Sequence, residues 1–103
     1  MPKGYRDYEE SLGRALKDPK EAAAYLSACL EGGSREAFLL ALRQVAAAHG
    51  VALVAERSRL GRESLYRTLS GKGNPTLATL MRLLDAAGLK LSVAAKRRAR
   101  RAA

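Results

Sequence analysis

Between Gly50 and Pro75 the chain has room for two short helices and little else. The segment Val51–Asn74 reads VALVAERSRLGRESLYRTLSGKGN. Its helix formers are interrupted at Arg59–Gly61, and Gly71, Gly73 and Pro75 bar any continuation past Ser70. The predicted elements are a helix over about 52–58, a tight turn, a second helix over about 62–69 and a loop over 71–75. Two helices this close in sequence must cross, so the residues at the crossing have to be small or apolar. Ala55 is small where the first helix approaches the second, Leu60 sits in the turn, and Leu65 lies in the second helix. These three form an apolar clasp that sets the crossing angle. The outward face of the second helix is then free to enter a groove.

The flanking sequence supplies helices to carry this unit. Residues 5–17 bear Tyr8, Leu12 and Leu16 at helical spacing. Asp18-Pro19-Lys20-Glu21 begins a second helix with an N-cap, a proline in the first turn and an acid three residues on. It stops at Gly32-Gly33. Ser34 caps a third, whose face is Phe38, Leu42, Val45 and His49, flanked by Leu39 and Ala46; Gly50 ends it. Thr76 caps the last helix, with a predicted stripe of Leu77, Leu80, Met81, Leu84 and Ala87, and Gly88 closes it. Leu89–Val93 alternates apolar and polar residues, the period of a half-buried strand. Such a strand could pair with its own copy in a symmetric dimer or lie extended against the core. Beyond it, Lys96–Arg101 has five positive charges in six residues, a run that repels itself and is expected to be disordered when unbound.

Charge narrows the function. Nineteen Lys and Arg against ten Asp and Glu give a net charge of +9 over 103 residues, which predicts attraction to a polyanion: nucleic acid first, an anionic membrane surface second. The N-terminal sequence MPKGYRDYEE has no apolar run of the kind a secretory signal needs. No stretch is long and apolar enough to span a bilayer. With Cys29 as the single cysteine, an internal disulfide and a cysteine-based zinc site are excluded. A soluble protein of a reducing cytoplasm is the expectation. SGKGN lacks the spacing of a phosphate-binding loop. No catalytic constellation is recognisable, so neither enzymatic activity nor a cofactor or metal is expected. Cys29 reads as a small core residue and His49 as a polar group at a helix C-terminus.

Residues 40–93 resemble the helix-turn-helix domain of the Xre/Cro type. More narrowly, the chain resembles the probable addiction module antidote proteins, relatives of HigA-type antitoxins. The matching blocks are ALRQVAAAHG (41–50), ESLYRTLSGKGNPTLATL (63–80) and AAGLKLSV (86–93), with AAAYLSACLEGG as the leading helix. The run LYRTLS followed by GNPTLATL is the most specific of these. The resemblance covers residues 22–93. One position departs from it: four residues after Ala55 the family usually has a glycine, and here it is Arg59; Gly61 stands where a Ser or Thr cap is usual. Either the glycine is displaced by two residues or the turn is distorted.

The resemblance implies an all-α fold: a five-helix helix-turn-helix (Xre/Cro, lambda-repressor-like) domain with a short C-terminal strand and a basic tail. The expected organisation is N-terminal helices over 1–33 for toxin or dimer contacts, the DNA-binding domain over 34–95, and the tail over 96–103. It further implies that Arg62, Glu63 and Arg67 read base edges, arginine against guanine and glutamate against cytosine. Ser64 and Tyr66 would touch phosphate or a thymine methyl. Lys72, Asn74 and Thr76 would hold phosphate, and Arg57 joins the set from the first helix. The plain alternative for Arg62 and Arg67 is a solvated face with a Glu63–Arg67 pair. The implied partners are double-stranded operator DNA, a second copy of the chain and a small RelE-like toxin; no membrane is expected. Two alternatives stay open: a stand-alone Xre-type regulator, and a basic module that binds protein or RNA. The tail could contact phosphates, meet an acidic partner or aid solubility.

Overall fold

The computed structural model describes residues 3–96, with side chains from residue 8 onward. Six helices occupy it: α1 (Lys3–Leu16), α2 (Pro19–Glu31), α3 (Arg35–His49), α4 (Val51–Ser58), α5 (Arg62–Thr68) and α6 (Leu77–Ala86). The five-helix expectation is one short, because every segment the caps and breakers mark out becomes a helix. The caps act as expected. Asp18 accepts from the Lys20 N–H at 3.0 Å, Ser34 from the Ala37 N–H at 3.1 Å, and Thr76 Oγ1 from the Thr79 N–H at 3.1 Å. Each satisfies a donor that the first turn of its helix leaves free.

The helices are organised around α3. Helices α1 and α2 pack on it and on each other; α4 packs on α3, α5 and α6. The axes of α3 and α4 meet at 105° across Gly50, whose φ is +99°. One core joins all six helices. Leu16 of α1, Ala22 and Leu26 of α2, and Phe38, Leu39, Leu42 and Val45 of α3 meet Val54, Leu65, Leu83 and Leu84. Many of the smaller core positions are Ala, which lets helix axes approach closely. Cys29 is half-buried against this core. The Tyr25 hydroxyl donates to Gln44 Oε1, tying α2 to α3. Burial, then the neighbouring Cys29 and Tyr8, raises the Tyr25 phenol above its usual value. His49 ends α3 with Nε2 buried and without a hydrogen-bond partner.

Three sequence expectations are corrected. Leu89–Val93 forms no strand among the described residues. Its alternation is real, but among the described residues no second strand completes a ladder. On α6, Leu80, Leu84 and Ala87 of the expected stripe meet the core, but Leu77 is 63% and Met81 51% exposed, and Leu83 and Ala86 are buried in their place. The buried face of α6 is turned toward Leu83 and Ala86, and α4 is the helix packed on it. Tyr8, expected on the apolar stripe of α1, is exposed, and only Leu16 of that stripe is fully covered. Among the described residues no single helix is long and apolar enough to cross a membrane. The tail from 97 onward lies outside the described residues.

Candidate nucleic-acid interface

The clasp forms as its three residues predict. Ala55 and Leu65 are buried and Leu60 packs half-buried beside them. The end of α4 decides where α5 begins. The Leu60 N–H donates to the Ala55 carbonyl at 3.0 Å and the Arg59 N–H to the Glu56 carbonyl at 3.2 Å. This paired closure requires a left-handed residue between the helix and the chain that leaves it. Arg59 is that residue, with φ 63° and ψ 26°. Gly61 has φ −70° and ψ 158° and serves as the cap of α5 without a side-chain bond. So the glycine has not moved along the chain. The turn keeps its left-handed position, and an arginine occupies it. Holding an L-residue there costs about 1–2 kcal/mol relative to glycine. The buried Ser58 supports the turn, its hydroxyl donating back to the Ala55 carbonyl at 3.3 Å.

Helix α5 is anchored from beneath by Leu65 and by Leu69 just past its end, both 1% exposed. Arg62, Glu63, Tyr66 and Arg67 are therefore exposed, on the opposite side of the turn. Ser64 lies half-buried at the edge. Arg57 is exposed on α4, one turn before Gly61. The loop after α5 folds back under it. The Gly73 N–H donates to the Ser70 carbonyl at 2.9 Å, and Gly73 itself is buried. A Cβ at Gly73 would stand 1.9 Å from the Thr68 carbonyl oxygen. A Cβ at Gly71 would stand 2.9 Å from Glu36 Oε1. Two further contacts moor the loop and α5 to α3. Arg35 Nη1 donates to Asn74 Oδ1 at 3.4 Å, and the Arg43 guanidinium lies 5.7 Å from the Tyr66 ring centre. The second is a cation–π geometry.

This folding-back brings part of the sequence-chosen set together. Arg67, Lys72 and Asn74 line one shallow depression with Thr68, Ser70 and Pro75. Arg62 and Glu63 are exposed at the start of α5 and do not line it. Thr76 is set apart, since its hydroxyl caps α6 and also donates to Thr79 Oγ1 at 3.0 Å. Sequence reasoning missed Arg43 and Arg35. Both lie on α3, well before the segment that draws attention, and only the packing of α3 against α5 and its loop brings them there. Among the described residues no group of His, Cys, Asp and Glu could hold a metal ion.

Charge is divided unevenly along the chain. Residues 1–33 hold five Lys and Arg against six Asp and Glu, whereas residues 34–103 hold fourteen against four.

The model of one protein family, described as probable addiction module antidote protein, matches residues 9–95. A curated protein of Haemophilus influenzae, described as uncharacterized, is 33% identical over 93 residues, spanning 90% of this chain and 94% of that protein. No solved structure matches the chain.

Proposed function

The chain belongs to the family of probable addiction module antidote proteins, and from that premise we propose that it is a sequence-specific DNA-binding repressor and the antitoxin of a type II toxin–antitoxin pair. The observation that carries the DNA-binding reading is α5, held from below by Leu65 and Leu69 while Arg62, Glu63, Tyr66 and Arg67 face outward. In this reading α4 and α5 are a helix-turn-helix and α5 is its recognition helix. Arg62 and Arg67 pair with guanine, Glu63 accepts from cytosine, and Ser64 and Tyr66 touch the backbone or a thymine methyl. Arg57, Lys72, Asn74 and the start of α6 at Thr76 hold phosphates on either side. Arg43 adds a phosphate contact, steadied by the Tyr66 ring. The left-handed cap at Arg59 supports this reading over a degenerate segment turned to other uses, because the turn that sets the crossing is intact.

The repressor acts as a homodimer whose two recognition helices reach successive major-groove faces of a palindromic operator. Its toxin is a small, basic RelE-like protein. Residues 1–33 are the part of the chain suited to it, since Asp7, Glu9, Glu10, Asp18, Glu21 and Glu31 relieve there the positive charge that prevails elsewhere. The domain division follows function: 1–33 for the toxin, 34–95 for DNA, and the tail for phosphates flanking the site. The protein is not an enzyme in this reading.

Gel retardation on the chain's own promoter, against scrambled competitor at two salt concentrations, tests it. A discrete shift that survives competitor is the expected result. A shift abolished by competitor or by salt would mean that charge alone drives binding, and the base-reading roles would fall.

A further inference from the structure

Asn74 belongs to two surfaces at once. With Pro75 it lines the depression that holds Arg67 and Lys72, and the same two residues line a second depression toward α3, where Arg35 stands. Arg35 lines the second only, and Arg67 and Lys72 line the first only. Asn74 and Pro75 are thus a wall with one cation behind it and two in front. The backbone of this wall has little freedom. Gly73, just before it, is buried against the Thr68 carbonyl, and its N–H is bonded to the Ser70 carbonyl. Pro75, just after it, has a fixed φ and disfavours helical backbone at Asn74. What is left to turn is the Asn74 side chain. Its amide has two unlike ends, an oxygen that accepts and a nitrogen that donates. Arg35 Nη1 donates to the oxygen at 3.4 Å. The reversed amide would set its donors against a guanidinium, which has no acceptor.

We propose that Arg35 is a positioning residue of the DNA interface: by holding the Asn74 oxygen it turns the amide N–H groups toward the front depression, where they and the Lys72 ammonium grip one backbone phosphate. The role presupposes the DNA-binding reading, in which α5 and its loop meet the duplex. An exposed arginine on such a surface is ordinarily counted as a phosphate contact itself. Arg35 instead stands behind the contact, and its effect on DNA passes through a neutral side chain. A bond from that amide to a phosphate is charge-assisted and stronger than one between neutral groups. Without Arg35 the amide turns freely, and ordering it falls to the binding step. Arg67 lends its charge to the rim of the depression and stays free to reach a base.

A double-mutant cycle on the full chain tests the role, read as affinity for an operator duplex and for a scrambled duplex over a range of salt. Asn74→Ala should weaken binding about tenfold and Arg35→Ala about fivefold, equally on both duplexes, since a phosphate contact carries no sequence information. Arg35→Ala added to Asn74→Ala should cost less than about twofold more, because the two act as one unit. Asn74→Ala removes no charge, so the salt slope should stay that of the wild type. Asn74→Asp keeps an acceptor for Arg35, and with it the loop and the urea midpoint, but offers no donor; its affinity should fall by more than about tenfold. Additive losses in the cycle would make Arg35 a phosphate contact in its own right and overturn the positioning role. So would an Asn74→Ala or Asn74→Asp protein that binds like the wild type. The scrambled duplex keeps the two readings apart. A wild-type chain that binds both duplexes alike removes the repressor and leaves the cycle to judge Arg35, whereas a chain that binds neither removes both.

Discussion

The turns on either side of α5 solve the same problem by opposite means. Ahead of the helix, the backbone needs a left-handed residue and has an arginine, Arg59 at φ 63°. Behind it, Gly73 has no such φ and yet meets a backbone neighbour that a side chain would strike. The first need is conformational. It is paid in strain of about 1–2 kcal/mol and any residue can meet it at that cost. The second is steric, set by the nearness of the Thr68 carbonyl, and no rearrangement of a side chain relieves it. Glycine is thus dispensable where theory of the isolated residue asks for it and indispensable where tertiary closeness does.

Substitutions can break this contrast. The largest effect is expected at Gly73→Ala, whose new methyl overlaps the backbone at the end of α5. It should lower stability by about 3 kcal/mol in urea unfolding, the upper range for overpacking, and operator affinity should fall with it. A fully stable Gly73→Ala protein would show that the loop has another conformation to take. Next comes α5 itself. Arg67→Ala should weaken operator binding by about 1–3 kcal/mol while leaving binding to scrambled DNA nearly unchanged; equal losses on both would reassign Arg67 to the backbone. Arg59→Gly should raise stability by about 1 kcal/mol through relief of the left-handed strain. No gain in the unfolding midpoint would mean that the arginine side chain offsets its strain with contacts of its own. Gly71→Ala should change least, within about 0.5 kcal/mol, because the atom it meets is the far end of the Glu36 side chain, which can swing aside. Arg43→Ala separates a further role: it should flatten the salt dependence of DNA binding by about one phosphate contact and spare sequence preference.

Much of this architecture is legible in the sequence, and the limits have physical causes. Caps and breakers are local, so Asp18, Ser34, Gly50, Thr76 and Gly88 mark helix ends correctly. The clasp of Ala55, Leu60 and Leu65 is legible for the same reason, its members being close along the chain. Arg59 is visible as an anomaly. Which of two repairs the backbone makes is not, because both leave the same letters, and the answer is that the arginine bears the strain itself. The α6 stripe is legible in part: Leu80, Leu84 and Ala87 meet the core as expected, while Leu77 and Met81, which fit the same helical face by pattern, stay exposed. Leu89–Val93 has the pattern of a strand without a partner to make it one. Arg43 and Tyr66 are 23 positions apart, and no local rule joins them. The candidate residues on α5 follow from the resemblance, and the burial of Leu65 and Leu69 beneath them accounts for their exposure.

The uneven division of charge has a kinetic consequence. Helices α1 and α2 pack on α3 and on each other, while α4 carries α5 and packs on α6, so the near-neutral first third of the chain joins the more cationic α4–α6 chiefly through α3. A molecule divided in this way has a dipole as well as a net charge. In the field of a duplex it turns as it diffuses, so encounters begin with the cationic elements leading and the N-terminal helices trailing. Association should then be fast at low ionic strength and slow steeply as salt shortens the reach of the field. A toxin held on the trailing side would ride to the operator without standing in the way.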